Sequence, residues 1–175
     1  MHPRALVRWS LLMLAPVLVA CYQSPQPIGT PEQATIDGAF IGSWTCVDPK
    51  DAKNVAVVTT VPFDAHQFYV DWREEPDHVT RYRAFASRVG GETLWNVEEL
   101  DDKSGSSGFV FMKARLAADR TLSLTLVQED ALHGLKGAAA LAEIRRRVAD
   151  ASLYGPFATC TVTAKAPPAG THDAR

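Results

Sequence analysis

The sequence predicts a mainly β (α+β) fold: an antiparallel meander of eight strands, closed or nearly closed as a small barrel, with one helix between the seventh and eighth strands. Three observations predict it. Short segments with alternating apolar and polar residues recur along the chain, turn residues separate them, and an alanine-rich segment with helical periodicity precedes the last of them. Eight strands are enough to close a small barrel.

The strands differ in how clearly their residues alternate. Residues 121–127, TLSLTLV, place Leu122, Leu124 and Leu126 on one face and polar residues on the other. Residues 109–116, FVFMKARL, begin with apolar residues on both faces, which indicates that part of the sheet is also covered on its outside. The predicted strands are 39–47, 54–63, 66–73, 79–89, 93–100, 108–116, 121–129 and 157–164.

The segment 132–156 predicts the helix that covers this outer surface, and the pair Gly155-Pro156 is expected to end it. Apolar residues recur in it at three- and four-residue steps: Leu141, Ile144, Val148 and Ala151. The basic run lies opposite this stripe and consists of Arg145, Arg146 and Arg147. Such a run is usually a solvated face, and the alternative is a docking site for anionic lipid or an acidic envelope protein.

The first 20 residues resemble the signal peptide of a bacterial lipoprotein. Arg4 and Arg8 precede an apolar run from Leu11 to Ala20, which is about half as long as a membrane-spanning helix. The run ends in Leu18-Val19-Ala20-Cys21, which is similar to a lipobox.

The lipobox resemblance implies that Cys21 is lipidated and becomes the first residue of the mature chain. In such lipoproteins an aspartate after the cysteine favours the inner membrane, whereas this chain has Tyr22. The resemblance therefore implies a lipid anchor in the outer membrane, with the protein facing the periplasm. Ordinary secretory cleavage beside a chance cysteine is the alternative.

Four regions follow from this interpretation. Residues 1–20 are the signal peptide, and residues 21–37, with three prolines and little apolar content, are the lipidated cysteine and a disordered tether. Residues 38–165 form the barrel domain and residues 166–175 a disordered tail. Loss of two arginines with the signal peptide changes the net charge from −2 to −4, which does not suit nucleic-acid binding.

Cys46 and Cys160 remain as an even pair once Cys21 is assigned to the lipid. In an oxidising compartment such a pair is expected to form a disulfide, and two reduced, buried thiols are the alternative. The α-carbons of bridged cysteines lie within about 7 Å of each other. The bridge would therefore make the first and last strands neighbours and close the barrel.

The triplet Gly42-Ser43-Trp44 stands near the start of the first predicted strand, and a helix precedes the last one. Both features resemble the lipocalins and the wider calycin superfamily. The resemblance implies that Trp44 closes the floor of the barrel under a basic side chain from a late strand, with Lys165 and Arg115 as candidates. It also implies a carrier for one small apolar ligand.

The sequence favours a non-enzymatic lipoprotein with an envelope or binding role. No cofactor and no metal site are expected, since the four histidines of the predicted domain and tail are scattered, and no catalytic constellation is recognisable. A ligand carrier and an interaction module that uses the arginine run are the alternatives. We expect aromatic residues to fill the interior or, in the carrier, to line a cavity: Trp44, Phe68, Trp72, Tyr82 and Trp95.

Overall fold

Eight antiparallel strands form a closed barrel in the computed structural model, which describes residues 21–101 and 108–164. The predicted signal peptide and tail lie outside the described residues. A short strand, β1 (Gln23–Ser24), precedes the barrel. The barrel strands are β2 (Gly42–Asp48), β3 (Asp51–Pro62), β4 (Phe68–Glu75), β5 (His78–Val89), β6 (Glu92–Glu99), β7 (Phe109–Leu116), β8 (Thr121–Val127) and β9 (Tyr154–Ala164).

The barrel closes where β2 pairs with β9, as the cysteine pair predicted. Cys46 lies directly opposite Cys160 in this ladder, their α-carbons are 3.9 Å apart, and their sulfurs are bonded. Pairing continues from β9 through β8 to β7, so that every barrel strand has two neighbours. Closure leaves no free sheet edge along the barrel.

Strand boundaries differ from the prediction by up to three residues, and the first and last barrel strands show the reasons. Residues 38–40 form a 3-10 turn, because the Asp37 carboxylate accepts a hydrogen bond from the Ala39 amide at 2.9 Å, and the first barrel strand begins only at Gly42. The last strand begins earlier than expected, at Tyr154. Gly155 and Pro156 do not end a helix there, since both are paired with β8.

The helix α1 (Gly137–Arg146) lies in the connection between β8 and β9, as predicted, but it is shorter. Asp150 accepts a hydrogen bond from the Ser152 amide at 2.9 Å and caps a separate 3-10 turn, Ala151–Leu153. Ala151 is therefore exposed instead of continuing the apolar stripe. Leu141, Ile144 and Val148 are buried as expected.

The helix packs against the outer surface of the barrel and forms an apolar cluster that we call the outer core. Phe111 on β7 is completely buried in it, which confirms that the second apolar face of that strand is covered. Residues before the barrel also contribute to this cluster. Its buried members are Tyr22, Ile28, Leu94, Phe111, Val127, Leu132, Ala140, Leu141, Ile144, Val148 and Leu153.

The segment 21–37 packs on the barrel and is not the poorly ordered tether that its composition predicted. Tyr22 and Ile28 are 5% and 2% exposed, and β1 pairs with the beginning of β7. The Ile28 amide donates a 2.7 Å hydrogen bond to the side chain of Asn96, which is itself fully buried. A few apolar residues among prolines are sufficient here, because the barrel and the helix together bury Tyr22 and Ile28.

Candidate functional site

A cavity of about 390 Å³ lies inside the barrel. Of the two arrangements expected for the aromatic residues, filling the interior or lining a cavity, the structure has the second. Five aromatic residues that the sequence singled out line it: Trp44, Phe68, Trp72, Tyr82 and Trp95. The disulfide between Cys46 and Cys160 forms part of the wall. The remaining lining is mostly apolar and includes Val58, Val70, Val97, Met112, Ala114, Leu122, Leu124 and Leu126.

The two ends of this cavity differ in exposure. At one end, which we call the Cys21 end, the lining includes Cys21 and the exposed side chains of Gln23, Glu74 and Glu99. At the other, the Trp44 end, the lining residues Trp44, Phe68 and Trp95 are at most 7% exposed. The cavity therefore opens towards the Cys21 end.

An aromatic cluster closes the Trp44 end. The ring of Phe40 meets the ring of Trp95 edge-on, with the ring centres 5.0 Å apart, and Phe68 contacts Trp95 from another side at 5.2 Å. Phe40 also accepts a hydrogen bond from the Trp44 indole N–H through its backbone carbonyl, at 3.3 Å. The 3-10 turn at residues 38–40 therefore helps to close this end of the cavity, which the strands alone would leave open.

The basic side chain beside Trp44 is Arg120, whose guanidinium carbon lies 5.6 Å from the centre of the indole ring. Arg120 belongs to the turn between β7 and β8 and has a left-handed backbone conformation, with φ of 64°. The two candidates predicted from the resemblance do not take this position: Arg115 is exposed on β7, and Lys165 lies outside the described residues.

Most of the polar residues that line the cavity lie at the Cys21 end. The Glu74 carboxylate accepts a 3.0 Å hydrogen bond from the Trp72 indole N–H, and Glu99 lies close enough to Tyr82 to influence it. Burial, with a smaller contribution from Glu99, raises the pKa of the Tyr82 hydroxyl. Burial also raises the pKa of the Cys21 thiol, so an unmodified Cys21 is protonated at neutral pH.

Sequence reasoning found the aromatic wall but missed the residues that shape its ends. Phe40 was assigned to a strand, and Gln23 to a tether. Glu74 and Glu99 are each one of two consecutive glutamates at strand ends, a pattern that normally indicates solvent. Only the alternation within β4 and β6 could have placed Glu74 and Glu99 on the inner face, two residues beyond Trp72 and Val97.

The arginine run does not form one open basic surface. Arg147 is mostly buried and donates hydrogen bonds to the Asp150 carboxylate, the Ser152 hydroxyl and the Ala131 carbonyl at 2.8–3.0 Å. Arg146 is paired with Glu143. Arg145 is exposed and borders a second concavity of about 1160 Å³ beyond the Trp44 end. The predicted use of this run as a docking site stays a prediction.

Within the part of the chain that the structure describes, no three histidine, cysteine or acidic residues come close enough to hold a metal ion. None of the described helices combines the length and apolar character needed to cross a membrane. Comparison with family models, with curated proteins and with solved structures finds no significant match to the chain. Function must therefore be inferred from the cavity and from the Cys21 end.

Proposed function

We propose that this protein is a non-enzymatic lipoprotein of the bacterial outer membrane, anchored through Cys21 on the periplasmic side, whose barrel binds one small apolar ligand. The cavity is the single observation that carries the binding role. It gives weight to the carrier hypothesis over the alternative of an arginine-based interaction module, because two of the three arginines are committed to local ion pairs.

The size and chemistry of the cavity support a small apolar ligand. Ligand sites commonly have volumes of about 300–1000 Å³ and apolar walls with a few polar groups. An engineered apolar cavity of about 150 Å³ accommodates benzene, so a cavity of about 390 Å³ has room for roughly 15 heavy atoms. Carboxylates at its open end disfavour a ligand with an acidic head group, because like charges repel.

The outer-membrane anchor rests on the signal peptide and on the lipobox-like sequence before Cys21. Each methylene of an acyl chain buried in a bilayer contributes about 0.8 kcal/mol, so two or three chains hold a protein on a membrane almost irreversibly. A barrel anchored in this way would bind its ligand at the membrane surface.

A matched pair of valine substitutions tests the binding role. Val97→Phe adds a ring inside the cavity, whereas Val57→Phe makes the same change on the outer face of β3, where Val57 is 46% exposed. We expect Val97→Phe to weaken binding of the apolar fluorophore N-phenylnaphthylamine at least about tenfold, by occupying its volume. Val57→Phe should bind this fluorophore with the same affinity as the wild-type protein.

Fluorescence titration of the purified full-length protein measures the affinity, and circular dichroism checks that both variants are folded. Native mass spectrometry after gentle extraction searches for the natural ligand. Equal fluorophore binding by folded Val97→Phe and wild-type proteins would contradict the proposed binding site.

Metabolic labelling with an alkyne fatty acid tests the anchor. The wild-type chain should incorporate the label and Cys21→Ser should not, since the acyl groups of the mature lipoprotein depend on that cysteine. Gln23→Ser changes a neighbouring exposed residue and should be labelled normally. Label on Cys21→Ser at the wild-type level would refute lipidation at Cys21.

A further inference from the structure

Cys21 lies directly against the barrel, with no flexible segment between them. The Tyr22 amide donates to the Val127 carbonyl at 3.2 Å, and Cys21 itself forms a β-bridge with Gln128 at the end of β8. The Tyr22 side chain is buried in the outer core. Position 21 is therefore held against the end of β8 by backbone pairing and by the burial of its neighbour Tyr22.

The next two residues reinforce this attachment. Gln23 and Ser24 pair with the first residues of β7, and Ser24 is 1% exposed. Gly108 lies so close that a Cβ atom there would stand 2.9 Å from the Ser24 carbonyl oxygen. β1 thus takes the place beside β7 where β8 has already left the ladder, and it completes the barrel wall at this end.

The same end of the barrel contains the opening of the cavity. Cys21 and Gln23 are themselves lining residues, together with Glu74 and Glu99. All of them lie at the end where β4, β6 and β8 finish, whereas Trp44 and Arg120 lie at the opposite end. Strands of about eight residues, tilted as in small barrels, separate the two ends by roughly 20 Å.

From this arrangement we infer that the barrel stands with its cavity opening against the bilayer, so that the ligand enters from the lipid side. This inference rests on the proposed lipid anchor at Cys21. A lipid attached to Cys21 has no flexible spacer, because residues 22–24 are part of the barrel wall. The bilayer surface must then lie at the Cys21 end, and the Trp44 end points into the periplasm.

The repulsion between the carboxylates at the opening and anionic lipids is weaker than the membrane attachment by the acyl chains. Glu74 and Glu99 at the opening are repelled by anionic lipids, at about 1 kcal/mol for each charge close to the surface. The acyl chains contribute several times more, at about 0.8 kcal/mol for each buried methylene. Lys50, in the turn between β2 and β3, lies at the same end, but Asp48 and Asp51 flank it, so this turn does not offset the repulsion.

Fluorescence quenching in liposomes measures the orientation. In the lipidated protein the Cys21 sulfur carries the diacylglyceryl group and the other two native cysteines form a disulfide, so the introduced cysteine is the one that reacts with a thiol-reactive fluorophore. Asp77→Cys places the label in the turn between β4 and β5 at the Cys21 end. Ala118→Cys is the matched control, in an exposed turn between β7 and β8 at the Trp44 end. The liposomes carry a nitroxide on the phosphatidylcholine head group.

We expect the nitroxide to quench the label at position 77 severalfold more than the label at position 118. Insertion of about ten glycine and serine residues between Cys21 and Tyr22 provides a tether of roughly 18 Å and should remove most of that difference. Intact mass of the same samples reports lipidation independently.

Equal quenching at the two positions, or stronger quenching at 118, in protein whose mass shows the lipid would overturn the orientation and leave the anchor standing. A chain without the lipid mass would refute the anchor, and the orientation with it. Binding of N-phenylnaphthylamine in solution stays a separate readout, which reports on the cavity whichever way the barrel stands.

Discussion

The barrel has two apolar regions that are packed very differently. The outer core, between the barrel and the helix, contains six side chains at 0% exposure, whereas the interior keeps a cavity of about 390 Å³. Dense packing is where large stabilising contributions come from, since each buried atom there has neighbours on all sides. The outer core therefore provides stability, and the interior retains the space in which we propose that a ligand binds.

Leucine-to-alanine substitutions in the two regions give the largest expected effects and test this comparison directly. Leu94 is fully buried in the outer core, and Leu124 lines the cavity from β8. We expect Leu94→Ala to lower the free energy of unfolding by about 4 kcal/mol and Leu124→Ala by about 2 kcal/mol, because Leu124 already lacks contacts on its cavity side.

Urea unfolding followed by tryptophan fluorescence gives both values. Equal losses for Leu94→Ala and Leu124→Ala would mean that the interior is packed as tightly as the outer core. In that case the cavity would not exist in solution as the structure describes it.

The attachment of residues 21–37 depends on Asn96, a polar residue on the outer face of β6. Asn96→Leu removes the acceptor of the buried Ile28 amide and should cost about 2 kcal/mol of folding free energy. Hydrogen exchange at the Ile28 amide should accelerate at the same time. Asn54→Leu, at an exposed position, should change stability by less than about 0.5 kcal/mol.

The outcome distinguishes local from global effects. If Asn96→Leu leaves exchange at Ile28 unchanged, the segment before the barrel is held by Tyr22 and Ile28 packing alone. A loss of protection confined to residues 21–37 would instead show that this segment can detach while the barrel stays folded.

The smallest expected effect concerns acid stability beside the helix. Hydrogen bonds from Ser152 and the nearby Arg147 lower the pKa of the Asp150 carboxyl from its ordinary 3.8 to about 2. Its contribution to stability is therefore complete above pH 3.8 and is lost as the pH falls through about 2. Asp150→Asn should have a lower free energy of unfolding than the wild type at pH 7, and this difference should disappear near pH 2.

Urea midpoints measured at several pH values check this. Asp77→Asn, in an exposed turn, serves as the control and should show no gap at any pH. A constant difference between Asp150→Asn and the wild type down to pH 2 would mean that the carboxylate is not held as the structure describes.

Much of the fold could be predicted because it follows from local patterns. Period-two alternation placed all eight strands, and the even pair of cysteines left after Cys21 indicated that β2 and β9 meet, which the disulfide confirms. The candidate aromatic residues of the site were found for the same reason, since alternate residues of a strand share a face. Phe40 and Arg120 could not be found in this way, because each lies in a turn and reaches Trp44 or Trp95 only in the folded barrel.

The sequence by itself determined the strand order, the closing disulfide and the aromatic face of the barrel, because these depend on residue spacing and on which side of a strand each residue takes. Tertiary structure alone decided that residues 21–37 pack against the wall, that the interior keeps a cavity, and that Cys21 lies at its opening. Such features depend on the space left between packed elements, and no single segment of sequence specifies that space.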